Sequence, residues 1–333
     1  MTSPHVRSSF GAGTMRAQGN VHFAKNDAAE DMMDMAPSLK GLDKTAWLSS
    51  LSGTVTAYGQ FQRLGQRHIS VLVEKSNTLL VTFETYAGIQ TLSETAHPLG
   101  WRMVEMNQWS HMAVISDGDT WFRDPAVYAY FDHLADTCFF DEFDQVVFYG
   151  AGPCGYAAAA FSVAAPGSRL LLVQPQATLD TGMTEWDPRF PELRRADFRS
   201  RYGYAPDMIE AADHAYIVYD PRQTEDAMHA ALFQRPNVTR LRMPMMGASL
   251  QTDLLDMYML EDMLDATHDG TLSVPEFAFM ARARRTHMPY LRRLLTRLEQ
   301  EERDDLIEIL CQWVTRRMPA PRFEQKLRSL HVS

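Results

Sequence analysis

The residues best suited to chemistry lie in one short turn, Gly150-Ala-Gly-Pro-Cys-Gly155. An apolar run from Val146 precedes this turn, an alanine-rich segment follows it, and a second apolar run leads to Gln176. This order predicts a strand, a tight turn, a helix and a second strand. A turn of this kind either brings backbone close to a phosphate-bearing ligand or presents a nucleophile.

The first alternative is a dinucleotide site, because the turn has the spacing G-x-G-x-x-G. In flavin and nicotinamide proteins these glycines let the backbone approach a pyrophosphate at a helix N-terminus, so FAD or NAD is one reading. An acidic residue for the ribose hydroxyls should end the next strand, where the chain reads Val173-Gln174-Pro175. We therefore expect no cofactor and keep a dinucleotide as an alternative.

The second alternative is thiol chemistry at Cys154. This residue lies near the N-terminal end of the expected helix, where the helix dipole favours a thiolate. A thiolate there could attack a carbonyl in hydrolysis or acyl transfer, with backbone N–H groups as an oxyanion hole and His111 or His133 as the base. The opposing interpretation is a small buried cysteine that fills the contact between helix and sheet.

A third candidate site is the segment 265–276, which resembles the calcium loop of an EF-hand. Its glycine, Gly270, stands where that loop turns sharply. Oxygen ligands at the loop's positions would come from Asp265, Thr267, Asp269, Thr271 and Glu276. The alternative is a helix–turn–helix in which Ser273 caps the second helix. Calcium is thus one cofactor that the sequence allows.

Asp117, Trp121 and Arg123 follow another apolar run, at a place where open α/β sheets bind ligands. Arg123 could hold an anionic ligand. The alternative is an Arg–Asp pair on a surface loop beside a packed tryptophan. We count this loop among the candidate ligand-binding segments.

The segments around these sites alternate between strand and helix patterns. Strands are expected at 69–73 and 79–83 as a hairpin through Lys75-Ser76-Asn77, and also at 112–115, 216–219 and 238–243. Helices are expected at 42–51, 126–135 and 225–233. This alternation predicts a mostly parallel α/β sheet. We divide the chain into a flexible tail at 1–40, a core at 41–253 and a helical region at 254–333.

The composition limits the partners. The formal net charge is −10, which disfavours a general phosphate-binding surface and hence nucleic acid. No apolar run is long enough to span a membrane, and the N-terminus lacks the apolar stretch of a signal peptide. Three widely spaced cysteines form no disulfide framework, so we expect a cytoplasmic protein. A small-molecule or protein ligand is expected, and a homo-oligomer is allowed.

The order of segments from Leu79 to Leu250 resembles the α/β-hydrolase superfamily. More narrowly, it resembles a bacterial branch found around surface-polysaccharide genes, in which a strand ending in Phe-Tyr-Gly leads into an elbow, a Gly-Tyr-Ala-Ala helix and a strand ending near Pro-Gln. The matching residues here are Phe148-Tyr149-Gly150, Gly155-Tyr156-Ala157-Ala158 and Gln174-Pro175-Gln176, with 117–125 matching an upstream loop of Asp, Trp and a further aromatic.

The whole chain also resembles marine alphaproteobacterial proteins, some of which are labelled phosphoadenosine phosphosulfate reductases. Such a reductase needs a Ser-Gly-Gly phosphate loop and a Cys-Gly-x-His ending. Both motifs are absent from this sequence. The label therefore has no support in the motifs.

The hydrolase resemblance implies a three-layer α/β-hydrolase-like sheet with a helical C-terminal region. It places the nucleophile at Gly152, the triad acid at Asp220 and the histidine near Ala248, yet the chain reads Met-Met-Gly-Ala-Ser-Leu from Met245. Two triad members are missing, so the resemblance implies a catalytically degenerate protein. Such a protein would bind a ligand or partner through Gly150, Gly152, Gly155 and Tyr156, the 117–123 loop, Asp220 and 246–249.

Overall fold

The structure is a computed structural model and describes residues 37–56 and 59–330. The tail expected at 1–40 therefore lies outside the described residues up to position 36. The expected short helix after Leu42 spans Lys44–Thr56.

One eight-stranded sheet organises the chain, in the order β1-β2-β4-β3-β5-β6-β7-β8. β1 and β2 run antiparallel to their neighbours, and the strands from β4 to β8 are parallel. The strands are β1 (Gly59–Leu64), β2 (His68–Val73), β3 (Thr78–Thr85), β4 (Ser110–Ser116), β5 (Gln145–Ala151), β6 (Arg169–Val173), β7 (His214–Tyr219) and β8 (Val238–Arg242). The prediction of a mostly parallel α/β sheet is confirmed.

The expected hairpin of β2 and β3 is wrong. β4 lies between these two strands, antiparallel to β2 and parallel to β3. The turn residues at Lys75-Ser76-Asn77 end one strand and begin the next, but they do not fold the two strands onto each other. Sequence proximity favoured the hairpin, whereas pairing with β4 buries both strands.

Helices cover both faces of the sheet, because β-strand residues alternate between the two faces. Leu79, Val81 and Phe83 of β3 pack on one side, while Leu80 packs on the other. The helices are α1 (Lys44–Thr56), α2 (Tyr86–Leu92), α3 (Trp101–Asn107), α4 (Pro125–Asp136), α5 (Pro153–Phe161), α6 (Thr181–Thr184), α7 (Ala205–Met208), α8 (Thr224–Leu232), α9 (Leu250–Asp256), α10 (Met259–His268), α11 (Val274–Met280), α12 (Met288–Gln300), α13 (Asp304–Thr315) and α14 (Pro321–Leu330). Within the described ranges, none of these helices is both long enough and apolar enough to cross a bilayer.

The helical C-terminal region has two parts. Leu254, Leu264 and Phe277 lie in the same apolar cluster as residues of β5, β6 and β7, so α9 to α11 pack on the sheet. Helices α12 to α14 form a separate cluster around Leu295 and Cys311. A helical end of the chain is thus confirmed, and its first part completes the third layer of the core.

Candidate functional site

The glycine turn is a sharp elbow between β5 and α5. Gly152 stands at its apex with φ 55° and ψ −127°, immediately before the first residue of the helix, Pro153. Its N–H donates to the carbonyl of Val173 on β6 (2.9 Å), and its own carbonyl accepts from the N–H of Tyr156 (3.0 Å). This strained strand-to-helix turn is the geometry that lifts a nucleophile above the sheet.

Two different constraints favour glycine at the three glycine positions of the elbow. A Cβ on Gly150 would lie 2.5 Å from the carbonyl carbon of Cys154, and a Cβ on Gly155 would lie 3.1 Å from the carbonyl oxygen of Gly150. A Cβ on Gly152 would have open space, since its nearest neighbour is Oε1 of Gln176 at 3.9 Å. Crowding therefore fixes Gly150 and, less strictly, Gly155. At Gly152 the positive φ is the constraint.

The apex has the shape of a nucleophile site without its reactive groups. Gly152 has no side chain that could attack a carbonyl. The residue after a nucleophile normally donates its backbone N–H to the oxyanion, but Pro153 has none. The loop after β8, residues 243–250, contains no histidine. Nucleophile, base and one oxyanion donor are all missing from their expected places.

Asp220, in the position of the triad acid, has a structural partner instead. Its buried carboxylate accepts the N–H of Gly247 at 2.7 Å and the N–H of Arg222 at 2.9 Å. The carboxylate thus ties the end of β7 to the loop after β8, where a catalytic histidine would otherwise stand. Backbone N–H groups satisfy the charge that a histidine would have used.

Two glutamine side chains follow β6 next to the apex. The Gln174 amide donates to Asp226 (2.5 Å) and accepts the N–H of Leu250 (3.1 Å). The Gln176 amide donates to the carbonyl of Gln174 at 3.2 Å, which sets its orientation. Its Oε1 is buried without a hydrogen-bond partner and faces Gly152. The Nε1 of Trp121, in the loop that packs against the elbow, is likewise buried without a partner, although such atoms are uncommon in folded proteins.

Cys154 is buried in the contact between α5 and the sheet. Burial raises the pKa of its thiol far above the usual range, and the nearby carboxyl of Glu84 raises it further. The proposed bases have other surroundings: the His111 ring hydrogen-bonds the Thr82 hydroxyl (2.9 Å), and His133 is exposed on α4. The environment of Cys154 favours a neutral thiol rather than a nucleophile.

A polar cluster lies beneath the elbow at the end of β3. The Glu84 carboxylate accepts the Leu99 N–H (3.0 Å) and the Thr82 hydroxyl (2.7 Å), and Thr82 also contacts His111. Burial raises the pKa of Glu84 to about 7, although its two hydrogen bonds oppose this shift. Burial lowers the pKa of His111 to about 3. Both groups therefore favour their neutral forms near pH 6.

The loop after β4 packs against the elbow rather than opening a binding surface. Trp121 is buried, with its ring centre 5.5 Å from that of Tyr156. Arg123 donates to the backbone carbonyls of Asp197 (2.6 and 2.9 Å) and Arg201, so its guanidinium holds protein and not a free anion.

Asp117, at the start of the same loop, is partly exposed and pairs with Lys44. It lies at the surface, where a solvent-exposed ion pair adds little stability. The structure therefore brings Trp121 and Arg123 to Tyr156, while Asp117 is engaged with α1.

The connection between β6 and β7, residues 174–213, forms a cap beside the elbow. Its Asp187 and Arg189 meet Asp226 and His229 of α8 in an ionic network, in which the two carboxylates and the imidazole are buried and Arg189 is exposed. His229 Nδ1 accepts the N–H of Ala177 (3.1 Å), so Nε2 donates to Asp187 (2.9 Å). Burial opposes ionisation of Asp187, but hydrogen bonds from His229 and Arg189 outweigh it and keep its pKa below the usual range.

Sequence reasoning did not find this network. Asp187 and His229 are 42 positions apart, and no local motif joins them. The signal that was available is the concentration of Arg and Asp in a cap of otherwise irregular structure.

The calcium-loop residues are distributed over a helix and a turn. Asp265 and Thr267 lie within α10, where Asp265 accepts from Asn107 and the Thr267 hydroxyl donates to the Met263 carbonyl. Glu276 is exposed in the first turn of α11, which Ser273 caps.

Asp269 accepts from His268 at the end of α10, and Thr271 donates to the Ala266 carbonyl. Over residues 37–56 and 59–330, no group of three or more His, Cys, Asp or Glu side chains is arranged to hold a metal ion. The side-chain oxygens of Asp265, Thr267, Asp269 and Thr271 therefore have partners within the protein, while Glu276 is exposed.

No protein-family model and no curated protein sequence matches this chain. Solved structures show a distant likeness. A carboxyl esterase from Tuber melanosporum is 13% identical with a TM-score of 0.41, covering 64% of this chain and 85% of that one. A Pyrobaculum calidifontis esterase is 13% identical with a TM-score of 0.39, covering 77% and 99%. A glycosylation-associated protein complex (Gap123) of Streptococcus agalactiae is 12% identical with a TM-score of 0.43, covering 64% and 46%.

Proposed function

We propose that this chain is a hydrolase-fold protein without hydrolase chemistry, which binds a small molecule or a protein partner at the loops around the elbow. The observation that carries the proposal is the apex, where Gly152 has a nucleophile's backbone but no side chain and Pro153 has no N–H. Acyl transfer needs a nucleophile, a base and oxyanion donors together. A geometry kept without those groups fits recognition better than turnover.

The surroundings of the apex indicate the chemistry of the ligand. Ala151, Gly152 and Pro153 are partly exposed, so a ligand can reach them. The buried Oε1 of Gln176 lacks a donor, and Asp220 and Arg123 are already engaged. A neutral ligand that donates an O–H or N–H to Gln176 would complete the site, because it satisfies the buried acceptor without burying a new charge.

The first test is hydrolysis of a panel of short acyl esters and thioesters by the wild type, Cys154→Ala and Gly152→Ser. We expect no turnover by any of the three proteins. Gly152→Ser restores an apex hydroxyl but neither the base nor the N–H at position 153. Turnover that disappears in Cys154→Ala would identify a thiol enzyme and end the proposal.

The second test is a melting-temperature screen with neutral monosaccharides, short alcohols and primary amides. A compound that binds at the apex should raise the melting temperature of the wild type and of Gln90→Leu, but not of Gln176→Leu. Gln90 is the matched control, since its amide nitrogen is also buried without a partner but lies on α2. An equal shift in both variants would place the compound elsewhere, and no shift with any compound would favour the protein partner.

A further inference from the structure

A cavity of about 260 Å³ lies beside the open edge of the sheet, away from the elbow. It is bordered by the end of β8, by α11 and by the turn Ala281–Arg285. Five arginines line it: Arg240, Arg242, Arg282, Arg284 and Arg285. In a chain with a net charge of −10, this concentration of cations sets the groove apart from the rest of the surface.

Of the guanidinium groups in this arginine groove, that of Arg284 donates to the Pro244 carbonyl (3.5 Å) and lies over the ring of Tyr290. In the described parts of the chain, 37–56 and 59–330, none of the five forms an ion pair with a carboxylate. Arg282 lies over the ring of Phe279, 5.4 Å from its centre. By contrast, Arg293 on the next helix is paired with the buried Asp253. Five positive charges without a carboxylate partner around one cavity favour an anionic occupant.

The backbone of β8 adds hydrogen-bonding capacity to this charge. Met243 donates its N–H to the Tyr219 carbonyl at the end of β7, which fixes the odd-numbered residues of this segment as those facing β7. Both peptide groups of a strand residue point to the same side. Arg240 and Arg242 therefore direct their N–H and C=O groups to the open edge, where β8 has no neighbouring strand.

The groove also has an apolar side. Phe277 and Ala278 line the cavity, and Val274 at its margin is 56% exposed. Phe279 on the same helix is 62% exposed. An occupant with both acidic and small apolar side chains would match this combination of guanidinium groups and hydrocarbon.

We propose that the arginine groove binds an extended acidic peptide segment of a partner protein, which adds to the sheet as a ninth strand along β8. The peptide backbone would pair with the free edge at Arg240 and Arg242, and its carboxylates would meet the guanidinium groups. A second copy of β8 fits poorly, since its own arginines would face those of the first. The free edge and the unpaired charges thus select the same occupant.

Fluorescence anisotropy with a labelled eight-residue peptide of alternating Glu and Thr tests this proposal on the full chain. We expect it to bind about tenfold or more tightly than a matched Gln-Thr peptide, and about tenfold more weakly to Arg240→Glu at low salt. Arg63→Glu, on the opposite edge strand β1, is the matched control and should leave the affinity unchanged. Equal weakening by both variants would show a general charge effect and overturn the proposal.

Two further measurements separate strand addition from other forms of binding. A Glu-Thr peptide N-methylated at alternate residues should bind about tenfold more weakly, because methylation removes the N–H groups that pair with the edge. Equal affinity for the methylated and unmethylated peptides would mean that the groove binds anions without pairing of the backbone, and would overturn strand addition. Sedimentation of the wild type and Arg240→Glu should give the same mass, whereas a dimer that the variant abolishes would make a second copy the occupant.

Discussion

The elbow at Gly152 and the ionic network of the cap each have one of the two features that a catalytic centre requires. At the elbow, the backbone of Gly152 has the strained conformation of a nucleophile, but no reactive side chain is present. In the network, His229, Asp187 and Arg189 supply reactive residue types, but each polar group already has a partner. The elbow thus has the backbone conformation of a nucleophile site without a reactive side chain, and the network has reactive side chains whose polar atoms are all hydrogen-bonded.

The comparison shows why a His–Asp pair is not by itself catalytic. A general base must have one ring nitrogen free to receive a proton from the nucleophile. His229 uses Nδ1 for the N–H of Ala177 and Nε2 for Asp187. The pair therefore fixes the cap to α8, and its contribution is to stability.

The largest expected effect separates two glycines of the elbow. Gly150→Ala should lower the free energy of unfolding by more than about 4 kcal/mol, because the new Cβ meets the backbone of Cys154 and α5 would have to move. Gly152→Ala should lower it by only about 1–2 kcal/mol, since the space is open and only the positive φ is unfavourable. Urea unfolding of both variants measures the difference. Equal losses would mean that the elbow can relax around Gly150.

A slightly smaller loss is expected when the network is broken. Asp187→Ala leaves the buried His229 without its acceptor and Arg189 with Asp226 alone, and should reduce stability by about 3 kcal/mol. The control is Asp207→Ala, which removes an exposed ion pair with Arg235 and should change stability by less than about 1 kcal/mol. If both variants lose the same amount, the cap is not held by this network.

Glu84 gives a pH-dependent prediction. Its pKa is about 7 in the folded protein and 4.5 in an unperturbed side chain, so the folded state retains a proton that the unfolded chain has lost between these values. Stability therefore falls as the pH rises from about 4.5 through 7, by about 3 kcal/mol. Glu84→Gln should remove this loss. The free energy of unfolding of the variant should therefore rise relative to that of the wild type between pH 4 and pH 8.

The measurement for Glu84 is urea unfolding of wild type and variant at both pH values. Glu94→Gln makes the same exchange of carboxylate for amide at an exposed position and serves as the control. A constant difference between wild type and Glu84→Gln would mean that Glu84 titrates normally.

The smallest expected effect concerns calcium. Asp265 and Thr267 are engaged within α10, so binding would require this helix to unwind. We expect millimolar calcium to change the melting temperature by less than about 1 °C in both the wild type and Glu276→Gln. A rise in the wild type that Glu276→Gln removes would establish the loop as a calcium site.

The sequence predicted the parts of the fold that are local. The βαβ unit around the elbow follows from two apolar runs and the glycines between them, and the structure has it at 145–173. The hairpin failed because the position of β4 depends on contacts far apart in the chain. Periodicity identifies a strand and its buried face, but it contains no information on which strand becomes its neighbour.

The candidate site was predictable to a lesser degree. The sequence alone shows that the apex residue, Gly152, has no reactive side chain and that segment 243–250 contains no histidine. The partners of Arg123 and Asp220 are not, because the Asp197 carbonyl and the Gly247 N–H approach from other segments. A charged residue that becomes buried needs a hydrogen-bond partner, but the sequence does not show whether this partner is a backbone group or a ligand.

Pro153 has a consequence for how this surface can change over time. Mutation of Gly152 to serine would provide an alcohol but no base and no oxyanion donor at position 153, and a histidine after β8 alone would have nothing to activate. Residues of a catalytic triad act as a unit, so single steps give almost none of the final rate. Under the proposed function, a gain of hydrolase chemistry at this elbow would take three coordinated substitutions, one of them at a proline that begins a helix. None of the three alone is expected to give measurable turnover, so Pro153 makes the elbow hard to convert one residue at a time.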